Sequence, residues 1–260
     1  MTRSRSINVL RVALAGLVLA TTAASSAEIG VFSTPTLRTS IEELRPRFET
    51  ATGLRLRVTY DGVAALKRRI EAGEAFDVAL LLPATIDQLA SAGKIASGSR
   101  SDIARTAVGV AVREGAPPVA LGTEEAVVAT LLAAPSIATA PDSASSAYFL
   151  SMVERLGIAE RIRPKLVAVS GGKVVEAVGA GQAALTVITV PNILGVSGVS
   201  LAGLLPERLQ NYTVFSAGLA TAPAEPEGAA RFIAFLRAPE TTATLQAHGF
   251  QRPPPGAPAR

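Results

Sequence analysis

The stretch Val31-Phe32-Ser33-Thr34-Pro35-Thr36-Leu37 decides how the chain is read. An apolar strand runs into small and hydroxyl residues, and Pro35 stands where a helix would begin. Unpaired helix amides are therefore predicted at the carboxyl end of a strand. Val58-Thr59-Tyr60-Asp61-Gly62-Val63 repeats the arrangement. Helix N-termini at strand ends bind small ligands, anions above all.

The surrounding pattern alternates strand and helix. Glu28 to Ser33 reads as a strand and Pro35 to Thr52 as a helix, with Leu37, Ile41, Leu44 and Phe48 at three- and four-residue spacing. Thr34 is expected as the N-cap of that helix and Gly53 as its stop. Leu54 to Tyr60, Phe76 to Leu82 and Thr106 to Arg113 read as further strands, with helices over Ala64 to Ala72 and Ala84 to Ala92. The second half adds strands at Ser136 to Thr139, Leu166 to Val169, Ala184 to Val190 and Asn211 to Ala220. Its helices are Ser145 to Leu156, Lys173 to Ala180, Glu227 to Leu236 and Glu240 to Ala247. This alternation predicts an α/β protein of mostly parallel sheets flanked by helices. Two crossings divide it into a first lobe of residues 28–108 and 213–250 and a second of 109–212, joined by a hinge.

The ends of the chain carry separate signals. Arg3, Arg5 and Arg11 precede the apolar run Val12 to Ala20, and Ser25-Ser26-Ala27 supplies small residues for cleavage before Glu28. Residues 1–27 read as a removed export signal, since the apolar run is shorter than the roughly 20 residues a membrane span needs. Three of the 25 Lys and Arg lie in it, leaving 22 against 21 acids. A nearly neutral mature protein without basic runs is not expected to bind nucleic acid. There is no cysteine, which excludes disulfides, thiolate metal sites and a lipidated N-terminal cysteine. The periplasm is the expected compartment. The tail, residues 251–260, is rich in proline and is expected to be disordered.

The sequence resembles the molybdate-binding proteins of ABC importers, within the type II periplasmic solute-binding fold. The resemblance runs through the Val-Phe strand into Thr36-Leu37 and through Leu66-Lys67-Arg68-Arg69-Ile70-Glu71-Ala72-Gly73 to Phe76-Asp77-Val78. It continues in Tyr148 to Arg155-Leu156-Gly157, Pro164-Lys165-Leu166, Phe232-Ile233-Ala234-Phe235-Leu236 and His248-Gly249-Phe250. It implies a hinged, monomeric, two-lobed protein that delivers a small oxyanion such as molybdate or tungstate to an inner-membrane ABC permease, without a cofactor. In that family two serines, two backbone amides and a tyrosine hold the anion. Those positions fall here on Thr36, Val63, Ser145, Gly171 and Thr189. Val63 keeps only the amide, and Thr189 reaches less far than tyrosine.

Thr34, Asp61 and Gly62 complete the expected ligand-binding set. Asp61 adds a carboxylate that opposes an anion, with Arg38 and Lys173 as candidates to neutralise it, so an organic anion or zwitterion is an alternative ligand. Tyr60 either lines the cleft or packs in the core. No catalytic residue is expected. His248, the only histidine, reads as a helix C-terminus, where a cation suits the dipole. Ser170-Gly171-Gly172-Lys173 matches the S-x-x-K of serine acyltransferases, which makes a periplasmic hydrolase using Ser170 and Lys173 the enzymatic alternative. Ser91 and Lys94 match the pattern equally, and its S-D-N and K-T-G partners are absent. One histidine and no calcium-loop spacing give no metal site by side-chain chelation.

Overall fold

The computed structural model describes residues 27–141, 143–170 and 173–254. The expected export signal, apart from Ala27, and the expected Gly171 site therefore lie outside the described residues, as does the tail beyond Pro254. Along the chain come β1 (Glu28–Ser33), α1 (Arg38–Thr52), β2 (Arg55–Tyr60), α2 (Val63–Glu71), β3 (Val78–Leu81), α3 (Pro83–Ser91) and β4 (Ser101–Thr106). Then follow β5 (Val108–Arg113), α4 (Glu124–Ala133), β6 (Ile137–Thr139), α5 (Ala144–Arg155), α6 (Ala159–Ile162), β7 (Leu166–Ala168), α7 (Val174–Gly179), β8 (Leu185–Thr189) and β9 (Val199–Leu204). The chain closes with β10 (Thr213–Leu219), α8 (Pro226–Arg237), α9 (Thr242–Ala247) and β11 (Phe250–Gln251).

These strands form two sheets, in the orders β11-β4-β10-β3-β1-β2 and β7-β6-β8-β5-β9. The parallel cores are β2-β1-β3 and β7-β6-β8, and the strands that carry the chain between lobes add antiparallel neighbours. The apolar run read as one strand, Thr106 to Arg113, is divided at Ala107: β4 belongs to the first sheet and β5 to the second.

Strand alternation sends neighbouring side chains to opposite faces. Val31 packs with Leu44, Phe48 and Phe232 on the side of α1 and α8, while Phe32 packs with Leu66, Ile70 and Leu89 on the side of α2 and α3. Phe48 and Phe232 meet edge to face at 5.1 Å between ring centres. The second sheet is covered the same way, with Val110 and Val187 facing α4 and α5 and Ala111 and Ile188 facing α7. Each sheet is thus buried on both faces, which leaves its strand-end loops as the place where backbone polar groups stay open.

One expectation at the chain's end needs correction. Gln251 pairs with Arg105 in β11, and the Arg252 guanidinium donates to the Leu236, Ala238 and Ile103 carbonyls at 2.7, 2.7 and 3.2 Å. The start of the supposed tail is therefore held, because the five donors of one arginine find acceptors at the end of α8, at Thr241 and Thr242 where α9 begins, and on β4. Among the described residues no helix is long and apolar enough to cross a membrane.

Candidate functional site

β1 ends at buried Ser33 and Thr34, and a tight turn over Pro35–Leu37 leads into α1. Thr34 does not cap it: its side chain makes no capping bond, and its Oγ1 is buried without a hydrogen-bond partner. Thr34 does stand at the expected N-cap position, where its carbonyl accepts from the Leu37 amide at 3.2 Å, but its buried hydroxyl plays no part in the cap. Thr36 is exposed on that turn, whose first amides have no intrahelical acceptor. The Asp61 amide donates to the Ser33 carbonyl at 3.2 Å, so the turns after β1 and β2 stand side by side.

At the second turn, α2 starts directly at Val63, with Gly62 before it and no side-chain cap. The Asp61 carboxylate accepts from the Gly62 amide at 2.7 Å and lies 3.8 Å from the Arg69 guanidinium. Arg69 is the cation beside Asp61, not Arg38 or Lys173. Arg38 stacks over the Tyr60 ring at 4.2 Å, and Lys173 is an exposed residue at the start of α7. Arg69 also forms a two-pronged bond to Glu74, which holds that carboxyl below its ordinary range. Tyr60 packs half-buried against the first core and donates its hydroxyl to Glu42 at 2.9 Å. Burial, then the Glu42 carboxylate, pushes its phenol well above the ordinary value.

In the second lobe, α5 is capped by Ser143, which accepts from the Ser146 amide at 3.1 Å. Ser146 accepts in turn from the Ala140 amide at 2.9 Å. Ser145 is the second helical residue, with its amide in the open first turn but its hydroxyl not the cap. The sequence reading missed Ser143, although a serine directly before a helical run is an N-cap signal. Thr189 ends β8, and its hydroxyl accepts from the Asn192 amide nitrogen at 2.7 Å. Ser170 and Lys173 are both exposed.

Parallel pairing gathers these turns by edge. β1 and β2 end together at Ser33 and Tyr60, so Thr36 and Asp61 to Val63 share one edge of the first sheet. In the second sheet β8 runs parallel to β6, which puts Thr189 and the Ser143 to Ser145 turn on one edge. A cavity of about 450 Å³ is lined by Thr36 and Thr39 from the first lobe, by Pro191, Leu194 and Gly195 from the second, and by Ala247, His248 and Phe250; of the expected ligand residues only Thr36 is in its lining, while Asp61 to Val63, Ser145 and Thr189 stay on the sheet edges outside it. The hinge behind it is tightly tied. The Val190 amide donates to the Ala107 carbonyl at 3.0 Å, and Thr106 Oγ1 donates to the Gly249 carbonyl at 3.1 Å. Among the described residues no group of three or more His, Asp or Glu could hold a metal ion.

Residues 29–251, both sheets together, match the family described as bacterial extracellular solute-binding protein. The chain belongs to that family. This solute-binding protein is also 28% identical over 252 residues to an aconitate isomerase of Pseudomonas sp, across 93% of this chain and 96% of that one. Its fold is shared with the substrate-binding domain assigned to a molybdenum ABC transporter of Clostridium difficile, at a TM-score of 0.78 and 14% identity over 88% of this chain and all of the other. The periplasmic molybdate-binding protein of Azotobacter vinelandii is similar at a TM-score of 0.65 and 17% identity, again over 88% of this chain and 100% of its own. The resemblance read from the sequence therefore holds at the level of a two-lobed binding-protein fold.

Proposed function

We propose that this solute-binding protein captures a small carboxylate anion between its lobes in the periplasm and presents the closed form to an ABC permease. The observation that carries this reading is the shared cavity: Thr36 of one lobe and Pro191 of the other line the same space. Thr36 offers its hydroxyl and amide within the cavity, and the amides of Val63 and Ser145 and the turn at Thr189 are further donors on the sheet edges beside it. Gly62 lets the backbone approach, and Asp61, already tied to Gly62 and Arg69, tunes selectivity. Gly171 keeps its place among the donors on the family resemblance alone, and buried Thr34 contributes its position rather than its hydroxyl. Residues 1–27 act as the export signal, and the mature protein works as a monomer.

A carboxylate suits this set better than molybdate or tungstate. A tetrahedral oxyanion needs a full cage of donors, each charge-assisted bond being worth about 1.5–3 kcal/mol. Val63 brings no hydroxyl, and the Thr189 hydroxyl, which accepts from Asn192, is shorter than the tyrosine the family places there. The relative that acts on aconitate, similar over nearly the whole of both chains, favours an unsaturated tricarboxylate. It also favours a second reading, in which the bound carboxylate is isomerised as well as carried.

Calorimetry of the mature protein with cis-aconitate, trans-aconitate, tricarballylate, molybdate, tungstate and sulfate tests the first reading. Binding of the tricarboxylates is expected, with a stabilisation of about 2.7 kcal/mol at 100 times the dissociation constant. Binding of molybdate or tungstate alone, or of none of the six, overturns it.

A further inference from the structure

We propose that His248, oriented by Glu43, is the acid–base group of the cavity between the lobes and moves one proton along an unsaturated carboxylate held there. This rests on the carboxylate reading above. His248 lines the cavity together with Thr36 and Thr39. Its Nε2 lies 2.7 Å from Glu43 Oε2, a contact between residues 205 apart in the chain. The ring is a quarter exposed and Glu43 about half.

Glu43 is held ionised, with its carboxyl below the ordinary range, first by the hydrogen bond from His248 and then by Thr244 and the nearby Arg47. A carboxylate only accepts, so the ring nitrogen facing it carries the hydrogen. In the neutral ring Nδ1 then holds the lone pair, and among the described residues it has no hydrogen-bond partner. A carboxylate that holds one nitrogen of an imidazole lining a cavity, with the second nitrogen unbonded among the described residues, is an arrangement that serves a general base. A role in capping α9 needs neither the carboxylate from α1 nor the cavity. At about 450 Å³ the space is of small-molecule size.

The step balances within the ligand and the ring. Nδ1 takes a proton from the methylene carbon next to the double bond, and the C–H electron pair spreads over the three-carbon allylic unit and its carboxylate. The imidazolium, whose proton exchanges with solvent before return, delivers a proton to the far allylic carbon, and the double bond moves by one position. Nothing is oxidised or reduced, and no co-reactant is consumed.

The test is proton NMR of cis- and trans-aconitate in D2O with the mature protein, alongside calorimetry of the same ligands. The wild type is expected to exchange deuterium into the allylic positions. His248→Asn should slow exchange about 100-fold or more with the dissociation constant nearly unchanged. Glu43→Gln should lower kcat about tenfold at unchanged KM, and Glu43→Asp should recover most of it. Glu43→Gln carries the test if His248→Asn does not fold. Tight binding without exchange in the wild type, or wild-type exchange in His248→Asn, overturns the acid–base role and leaves the carboxylate reading standing. Failure of both isomers to bind overturns the two together.

Discussion

The side-chain amide of Gln210 pairs with both backbone groups of Val108, accepting from its N–H at 2.6 Å and donating to its carbonyl at 3.1 Å. The same nitrogen also donates to the Leu205 carbonyl at 3.0 Å. Val108 is the first residue of the outgoing crossing and Gln210 stands on the return, so one side chain replaces a strand rung where the chain passes between lobes. That bond fixes the spacing of the two crossings at the point where the chain passes between the sheets.

Gln210→Ala removes the acceptor of a buried amide. A stability loss of about 1–3 kcal/mol is expected in urea unfolding. Gln210→Glu restores the acceptor but not the donor, and should recover only part of it.

Thr36 offers the solute an exposed hydroxyl as well as an amide. Thr36→Val removes the first alone, and calorimetry with the tricarboxylate should register an affinity about tenfold weaker or more. Thr36→Ser should stay close to the wild type.

Gly249 and Gly53 both hold left-handed backbone, at φ of 79° and 70°. A Cβ at Gly53 meets nothing within 4 Å, whereas one at Gly249 would stand 2.7 Å from Val190 Cγ1, across the lobe junction. Gly53→Ala should cost about 1–2 kcal/mol in backbone strain alone. Gly249→Ala should add about 1–3 kcal/mol of overpacking, seen as the lower thermal midpoint of the two variants.

Tyr60 titrates higher in the folded chain than in the unfolded one, through burial and the Glu42 carboxylate. The folded state thus holds its phenolic proton more tightly. The associated stability is complete below the unfolded value of about 10 and is lost as pH rises through the higher folded value. Denaturation followed from neutral pH to above pH 10 should show a decline that is shallower in Tyr60→Phe.

What the sequence determined by itself lies within a few residues of chain. The strand before Thr34, the apolar stripe Ile41, Leu44 and Phe48 of α1, and the left-handed stop at Gly53 follow from periodicity and backbone preference, which act between near neighbours. α4 escaped that reading because Glu124–Ala133 is apolar on nearly every side past its first turn, so no stripe marks it. β4 and β9 escaped it too, one merged in part with the run after it and the other half-exposed. For the site, the turns carrying Thr36 and Val63 were legible because a strand running into a helix start is a local pattern. Only the tertiary structure decided that Thr34 is buried without a partner, that Arg69 rather than Arg38 stands beside Asp61, and that Ser143 rather than Ser145 caps α5. It alone joined His248 to Glu43 and Gln210 to Val108. Such partners are chosen by which surfaces pack together after the chain has crossed twice between sheets, and a local pattern carries no record of that choice.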